Sequence, residues 1–426
     1  MLDVHGVNQA ALTGRDPEAR LAAVGALTVR CQESRSAPAL LVPLLEPLVR
    51  DPRACDEAVL ALRRCGRAAA RYAGFLGEVA AASPELATRR RAVETLMLLG
   101  DPRWVDPVVR EGEALLPHSL MPLPWPSEVR DAVRRRLAAL TGSEGVLCEI
   151  VARWGTEAAD VVPELLGALP HAPQAATRAL LAVGHLGAPM VPGLRAAASR
   201  PGGLLAATAL FRLTGDPAPA LRALLTARPP VPPGVVALLG PLAMPLVPEF
   251  ELLLTGEAAD SPPQCAAQLL AAQVVIAATG DTTAALPTLH AVLTAGGHRA
   301  VLAAAVVADL AGSGMSGVGG WRGEMAVWKP ELRELLDDPW AGVAAAGALW
   351  RLGAPAGELV PVVVRAIEEG RRPAAAVSLL HELGAAAEAA RLAARDERLP
   401  VGGADDDIVI NDELLRDRLL ATAASR

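Results

Sequence analysis

Apolar residues recur at helical spacing along almost the whole chain, and one phrase separates the runs they form: Leu-Gly or Thr-Gly, then Asp or Ala, often Pro. It reads LMLLGDP ending at Pro102, HLGAP at Pro189, RLTGDP at Pro217, AATGD at Asp281 and WRLGAP at Pro355. Glycine stops a helix at little cost because it accepts a positive φ, and the Asp or Pro that follows starts the next one. The breaks at Gly66, Gly100, Gly187, Gly215, Gly240, Gly280, Gly312, Gly353 and Gly384 lie roughly 25 to 41 residues apart, or further across irregular stretches, which is the range of helical repeats.

The helices are therefore predicted in pairs. First members begin Pro-x-Leu or Val-Pro-x-Leu, as in Ala39 to Val49, Val161 to Leu169, Val191 to Ala198, Leu246 to Leu254, Leu286 to Leu293 and Leu359 to Ile367. Second members are richer in alanine and end at the glycine, as in Glu18 to Val29, Glu85 to Leu99, Val129 to Leu140, Ala175 to Leu186, Ala266 to Ala278, Arg299 to Leu310 and Gly342 to Leu352. The fold class expected is all-α, an α-solenoid of roughly ten stacked antiparallel helix pairs in which each pair buries its apolar face against its neighbours.

Composition fits that architecture. The chain is 52% hydrophobic but only 3% aromatic, as expected where helices approach closely through small side chains. Lys329 is the single lysine, which points to GC-rich coding DNA, so part of the alanine excess is a codon effect. The net charge of −7 opposes duplex binding, which needs a basic footprint. Through Gly142 the balance is roughly +2 and beyond it roughly −9, so an anion or acidic protein would be drawn to the first third.

Cys31, Cys55, Cys65, Cys148 and Cys265 form no CxxC pair, and the odd count leaves at least one free thiol. They read as small buried hydrophobes in a reducing compartment. The start, MLDVHGVNQ, lacks the basic and apolar regions of a signal peptide, so a cytoplasmic location is expected. Two uncharged stretches, Pro229 to Pro248 and Ser261 to Gly280, have the length of a membrane span. The first is broken by prolines and the second carries Gln264, Gln268 and Gln273, so both read as buried helices.

Segments such as EVRDAVRRRLAALTG (Glu128 to Gly142) and AAAGALWRLGAPAGELVPVVVRAI (Ala344 to Ile367) resemble HEAT-type repeats, especially the short HEAT-like units first named from phycobilisome lyases. The resemblance covers nearly the whole chain, and armadillo arrays share its period. Tetratricopeptide repeats fit less well, because their Trp, Gly-Tyr and Phe positions are not recognisable. The resemblance implies a superhelix with first helices outside and second helices lining the concave face. It implies no reaction.

Three places depart from regularity: a proline-rich insert at 117–126, a helix without an evident partner from Glu144 to Trp154, and a glycine-rich insert at 312–329 carrying Trp321 and Trp328. Inserted loops on one face of a solenoid are where specificity is commonly placed. The expected organisation is amino-terminal repeats over 1–142, carboxy-terminal repeats over 143–395, and an acidic linker with a capping helix over 396–426.

No residue pattern demands catalysis. Gly312, Gly314 and Gly317 spell GxGxxG, but they follow an alanine-rich helix rather than a strand, so a flexible loop is the better reading. His381 and Glu382 invite comparison with deoxyhypusine hydroxylase, a HEAT-like enzyme whose two irons sit on several His-Glu pairs, but one pair is too few for a diiron centre. No serine lies in a GxSxG elbow, and Asp405 to Asp407 lacks the spacing of a calcium loop. No catalytic, cofactor-binding or metal-ligating residue is assigned.

The arginines offer a binding hypothesis. Arg20, Arg89, Arg90, Arg130, Arg134 and Arg178 fall on second helices, with Arg130 and Arg134 on one face at i,i+4. They either present guanidinium forks to a partner or tie neighbouring repeats together through acidic side chains. Trp321 and Trp328 are candidate contacts in the insert, whereas Trp340 and Trp350 read as core. Arg89, Arg90, Arg130, Arg134, Trp321 and Trp328 are thus the expected partner-binding residues of a non-catalytic protein-interaction scaffold or adaptor. The competing expectation is a HEAT-like enzyme or enzyme subunit, lyase-like or DNA-glycosylase-like, working on the early arginine face.

Overall fold

The computed structural model describes residues 9–115, 125–140, 142, 144–200, 203–226, 240–312, 321–401 and 408–425. Among these the chain is all-α, many helices packed against one another with no strand beyond a lone Ser34–Glu397 bridge, an arrangement compatible with a helical repeat protein. Residues 117–124 of the proline-rich insert and 313–320 of the glycine-rich insert, with Gly314 and Gly317, fall outside the described residues, as do Asp405 to Asp407.

The recurring phrase has a concrete local chemistry. The Leu86–Leu99 helix ends on left-handed Gly100, the Asp101 carboxylate then accepts the Arg103 N–H at 3.0 Å, and Pro102 opens the next turn. Asp51, Asp216 and Asp281 accept the N–H two residues on in the same way, at 2.9 to 3.0 Å. An acceptor there satisfies a donor that a helix start leaves free. One break is displaced: the helix expected to reach Leu186 stops as Pro173–Ala182, because Gly184 (φ +82) takes the left-handed position and Gly187 is merely extended.

Several helices of the first-member type are two-part, although Ala356–Glu368 is continuous and Leu286–Thr294 has no 3-10 lead. A 3-10 segment leads into an α-helix whose second residue is proline at Gly155–Val161 and Val162–Ala168, at Ala188–Met190 and Val191–Ala198, at Gly240–Leu246 and Val247–Glu251, and at Ala326–Trp328 and Lys329–Glu334. Proline loses nothing at the second position, where its N–H would have no partner, but its ring crowds the preceding turn, which tightens.

The chain divides into two compact units, Met1–His185 with Ala390–Ala421, and Leu186–Ala389 with Thr422–Arg426. In the first, alanine-rich helices pack in succession: Pro17–Glu33 on Cys55–Arg64, Cys55–Arg64 on Leu86–Leu99, and Glu144–Trp154 on Pro173–Ala182. Glu144–Trp154 therefore has a partner. The tail helix, expected to cap a carboxy-terminal end, sets Ile410 and Leu414 against Leu98 of the Leu86–Leu99 helix. Asp412, fully buried, accepts Arg35 Nη2 at 2.7 Å, Arg398 Nη1 at 2.9 Å and the Leu399 N–H at 3.0 Å. Gly66 (φ +55) lies so close to Glu413 that a β-carbon would come within 2.2 Å of its carboxylate.

In the second unit Val191–Ala198 packs on Leu204–Thr214, Leu286–Thr294 on Gly297–Gly312, and Ala356–Glu368 on Pro373–Glu382. The successive helices Pro262–Thr279, Gly297–Gly312 and Gly342–Arg351 also pack on one another through alanine, with Ala271, Ala303, Ala304, Ala345 and Ala346 fully buried. No helix among the described residues is long and apolar enough to cross a membrane.

Candidate functional site

The six early arginines all engage carboxylates of their own unit. Arg20 reaches Glu57 at 3.4 Å, Arg89 reaches Glu111 at 2.6 Å, Arg90 reaches Glu94 at 3.3 Å, Arg130 reaches Asp160 at 3.3 Å, Arg134 reaches Glu164 at 2.8 Å, and Arg178 pairs with Glu149. Three of these partners, those of Arg130, Arg134 and Arg178, stand about 30 residues away along the chain, as do Arg63 with Glu94 and Arg136 with Asp106. Glu94 is held from two sides, by Arg63 at 2.9 Å and by Arg90. The hydrogen bond and charge of Glu164 hold the Arg134 guanidinium above its ordinary value.

The tryptophans separate differently. Trp328 is buried at 6% exposure, ending the 3-10 segment Ala326–Trp328. The side chain of Trp321, which opens the Trp321–Met325 helix, lies outside the described residues. Trp340, expected in the core, is 71% exposed. It sits in the turn before the Gly342–Arg351 helix, its N–H bound to the Asp338 carboxylate at 2.8 Å, one step too early for the buried face. Trp350 is half-buried. Trp125 and Trp154 form a pair with ring centroids 4.0 Å apart, which closes the end of the proline-rich insert onto the Glu144–Trp154 helix.

Trp328 lines an open groove of about 370 Å³ in the second unit. One wall is the start of the Leu286–Thr294 helix with Leu286, Pro287 and His290, and the other carries Glu324, Val327 and Trp328. Thr282 and Thr283 close one end. The His290 ring stacks on Trp328 with centroids 5.5 Å apart and planes 27° from parallel. Its Nε2 lies 3.5 Å from Glu331 Oε1, and the buried Oε2 of Glu331 has no hydrogen-bond partner among the described residues. The Thr282 hydroxyl donates to Glu324. Val327 stands 67% exposed at the rim.

Chemically, the groove combines an apolar rim, a ring stack and carboxylate acceptors. Among the described residues no three His, Cys, Asp or Glu converge as metal ligands, and His381 and Glu382 lie elsewhere, with Glu382 paired to Arg351. No family model matches the chain, and no curated protein does. Among solved structures, a crystal structure of an engineered protein from the Northeast Structural Genomics Consortium is matched over 100% of both chains, at 18% identity and a TM-score of 0.30, a likeness too slight to bear on fold or function.

The sequence pointed to the glycine-rich insert, which contains Glu324 and Val327, and to Trp328 by name, but not to His290. The groove forms only where the Leu286–Thr294 helix and the end of the insert meet. The one local signal was Pro287 and His290 sharing a helix face at i,i+3.

Proposed function

We propose that this chain is a HEAT-like solenoid acting as a non-catalytic scaffold or adaptor, and that the groove beside the glycine-rich insert is where it holds a partner protein. The observation that carries this reading is the groove itself: an exposed Val327 and Pro287 beside a buried, stacked Trp328, the mixture of apolar rim and anchored aromatic that interface hot spots favour. The periodic ion pairs support the repeat architecture, because partners about 30 residues apart tie consecutive helix pairs together. The arginines first considered for contact already have carboxylate partners within the chain, so the reading does not rest on them.

The test is affinity capture of the tagged protein from its own cells, wild type against Val327→Glu, at low and high salt, with mass spectrometry of what is retained. Val327 is exposed, so the variant should keep its helicity, and a specific protein lost only with Val327→Glu is the expected result. Recovery that ignores Val327→Glu would remove the groove from consideration. Salt-sensitive nucleic acid in place of protein would favour the enzyme reading.

A further inference from the structure

Carboxylates gather at this groove. Glu324 sits in its wall, Glu331 adjoins His290, and Asp281 stands one residue before Thr282. Hydrogen bonds from the Thr283 hydroxyl and N–H hold the Asp281 carboxyl below its ordinary value. Among the described residues, no arginine or lysine lines it. Arginines elsewhere are set against carboxylates, as Arg134 is against Glu164 and Arg333 against Glu358, whereas among the described residues Glu324 and Glu331 meet no arginine; the buried Oε2 of Glu331, like that of Glu164, has no donor there. A buried acceptor without a donor is costly to leave and is relieved by an incoming one.

We propose that the groove seats a basic side chain of an extended partner segment, arginine in preference to lysine, with an apolar neighbour against Val327 and Pro287. This rests on the protein-binding reading above and names the chemistry of the partner. Arginine suits the site because its planar guanidinium can lie along the His290 ring while its fork donates to carboxylates at more than one angle, which a lysine ammonium does less well. The apolar neighbour follows from the rim, since a cation alone would leave Val327 and Pro287 in water. At about 370 Å³ the cavity has room for side chains of a strand-like segment rather than for a folded domain. The excess of acidic over basic residues beyond Gly142 would draw such a segment in.

The experiment probes the whole protein against an array of synthetic twelve-residue peptides. Each has Arg, Lys, Gln or Glu at its centre, flanked by combinations of Leu, Val, Pro and Ala. Wild type is compared with Glu324→Gln, Glu331→Gln and Val327→Glu, and with Glu18→Gln in the first unit as a charge control. The expected result is that arginine-centred peptides with an apolar neighbour bind roughly tenfold better than their glutamine counterparts, and that Glu324→Gln and Glu331→Gln each erase most of that preference while Glu18→Gln does not. Circular dichroism and the urea midpoint of each variant confirm that it is folded. Peptides that bind through Val327 with no preference for a basic centre would overturn this inference and leave the protein-binding reading standing. Peptide binding that is indifferent to Val327→Glu would overturn both.

Discussion

The two compact units solve the same packing problem with different materials. The first buries charge: Arg20, Arg63, Arg64, Glu94, Glu144 and Asp412 are buried, and all lie in that unit. The second, among its described residues, buries only uncharged polar groups such as Thr208, Gln268, Thr282 and Thr288, and joins its helices through alanine. Thr208 turns its hydroxyl back to the Leu204 carbonyl at 2.9 Å, and Gln268 ties down the backbone at Ala259 and Glu257. Buried ion pairs fix which residue meets which, at a desolvation cost that only complete hydrogen bonding offsets. Small-residue contacts bring helix axes close and depend on volume alone. The contrast teaches that a repeat pattern specifies helix pairs without specifying what joins one pair to the next.

The largest effect is expected where buried charge converges. Replacing Asp412 with Ala strips Arg35 and Arg398 of their shared carboxylate, with side chains 5% and 2% exposed, and should cost about 3–5 kcal/mol. A urea titration would check it. A loss comparable to that of an exposed pair such as Arg130–Asp160 would mean that the tail helix is held by Ile410 and Leu414 rather than by charge.

The second unit should respond to volume instead. Ala346 is fully buried in the Gly342–Arg351 helix, and Ala346→Leu should cost about 1–3 kcal/mol by overpacking. One position along, a β-carbon on Gly347 would meet Ala308 and Leu379 at 3.9 and 4.0 Å, ordinary contact distances. Gly347→Ala should therefore gain up to about 1 kcal/mol through helix propensity. Thermal unfolding of the two variants side by side would expose any error, because equal signs for both changes would refute alanine packing as the controlling feature.

The smallest effect is a pH dependence in the first unit. Burial raises the Glu413 carboxyl above its ordinary value even though Arg398 and the Arg67 N–H and guanidinium pull it down. A raised folded-state value means that the native state binds the proton more tightly than the unfolded chain. The stability it contributes is full below the ordinary glutamate value and is lost as pH rises through the raised one. Glu413→Gln should match wild type at low pH and become the more stable of the two as pH rises through that window. A difference that stays constant from acid to neutral pH would show that Glu413 is not the group responsible.

Much of the local structure was legible beforehand. The helix from Glu85 to Leu99 is observed as Leu86–Leu99, the one from Arg299 to Leu310 as Gly297–Gly312, and the one from Gly342 to Leu352 as Gly342–Arg351, because apolar period and glycine stops act within a few residues. Burial of Cys31, Cys65, Cys148 and Cys265 followed from their apolar settings, whereas Cys55, expected with them, is only half-buried, and burial pushes the Cys148 thiol up to about 12. Trp340 was misplaced because a one-residue offset at a helix start turns a side chain from core to solvent. The groove was half legible: the insert marked its neighbourhood, but the stack of His290 on Trp328 joins residues 38 positions apart.

By itself the sequence determined that this chain is helical, where most helices stop, and why: a glycine, an aspartate cap and a proline act through bonds spanning a few residues. Only the tertiary structure decided which carboxylate each arginine meets, that residues 390–421 join the unit of residues 1–185, and that the buried Oε2 of Glu331 has no donor among the described residues. Those outcomes depend on contacts between segments 30 to several hundred residues apart, and a pattern read a few residues at a time carries no record of them.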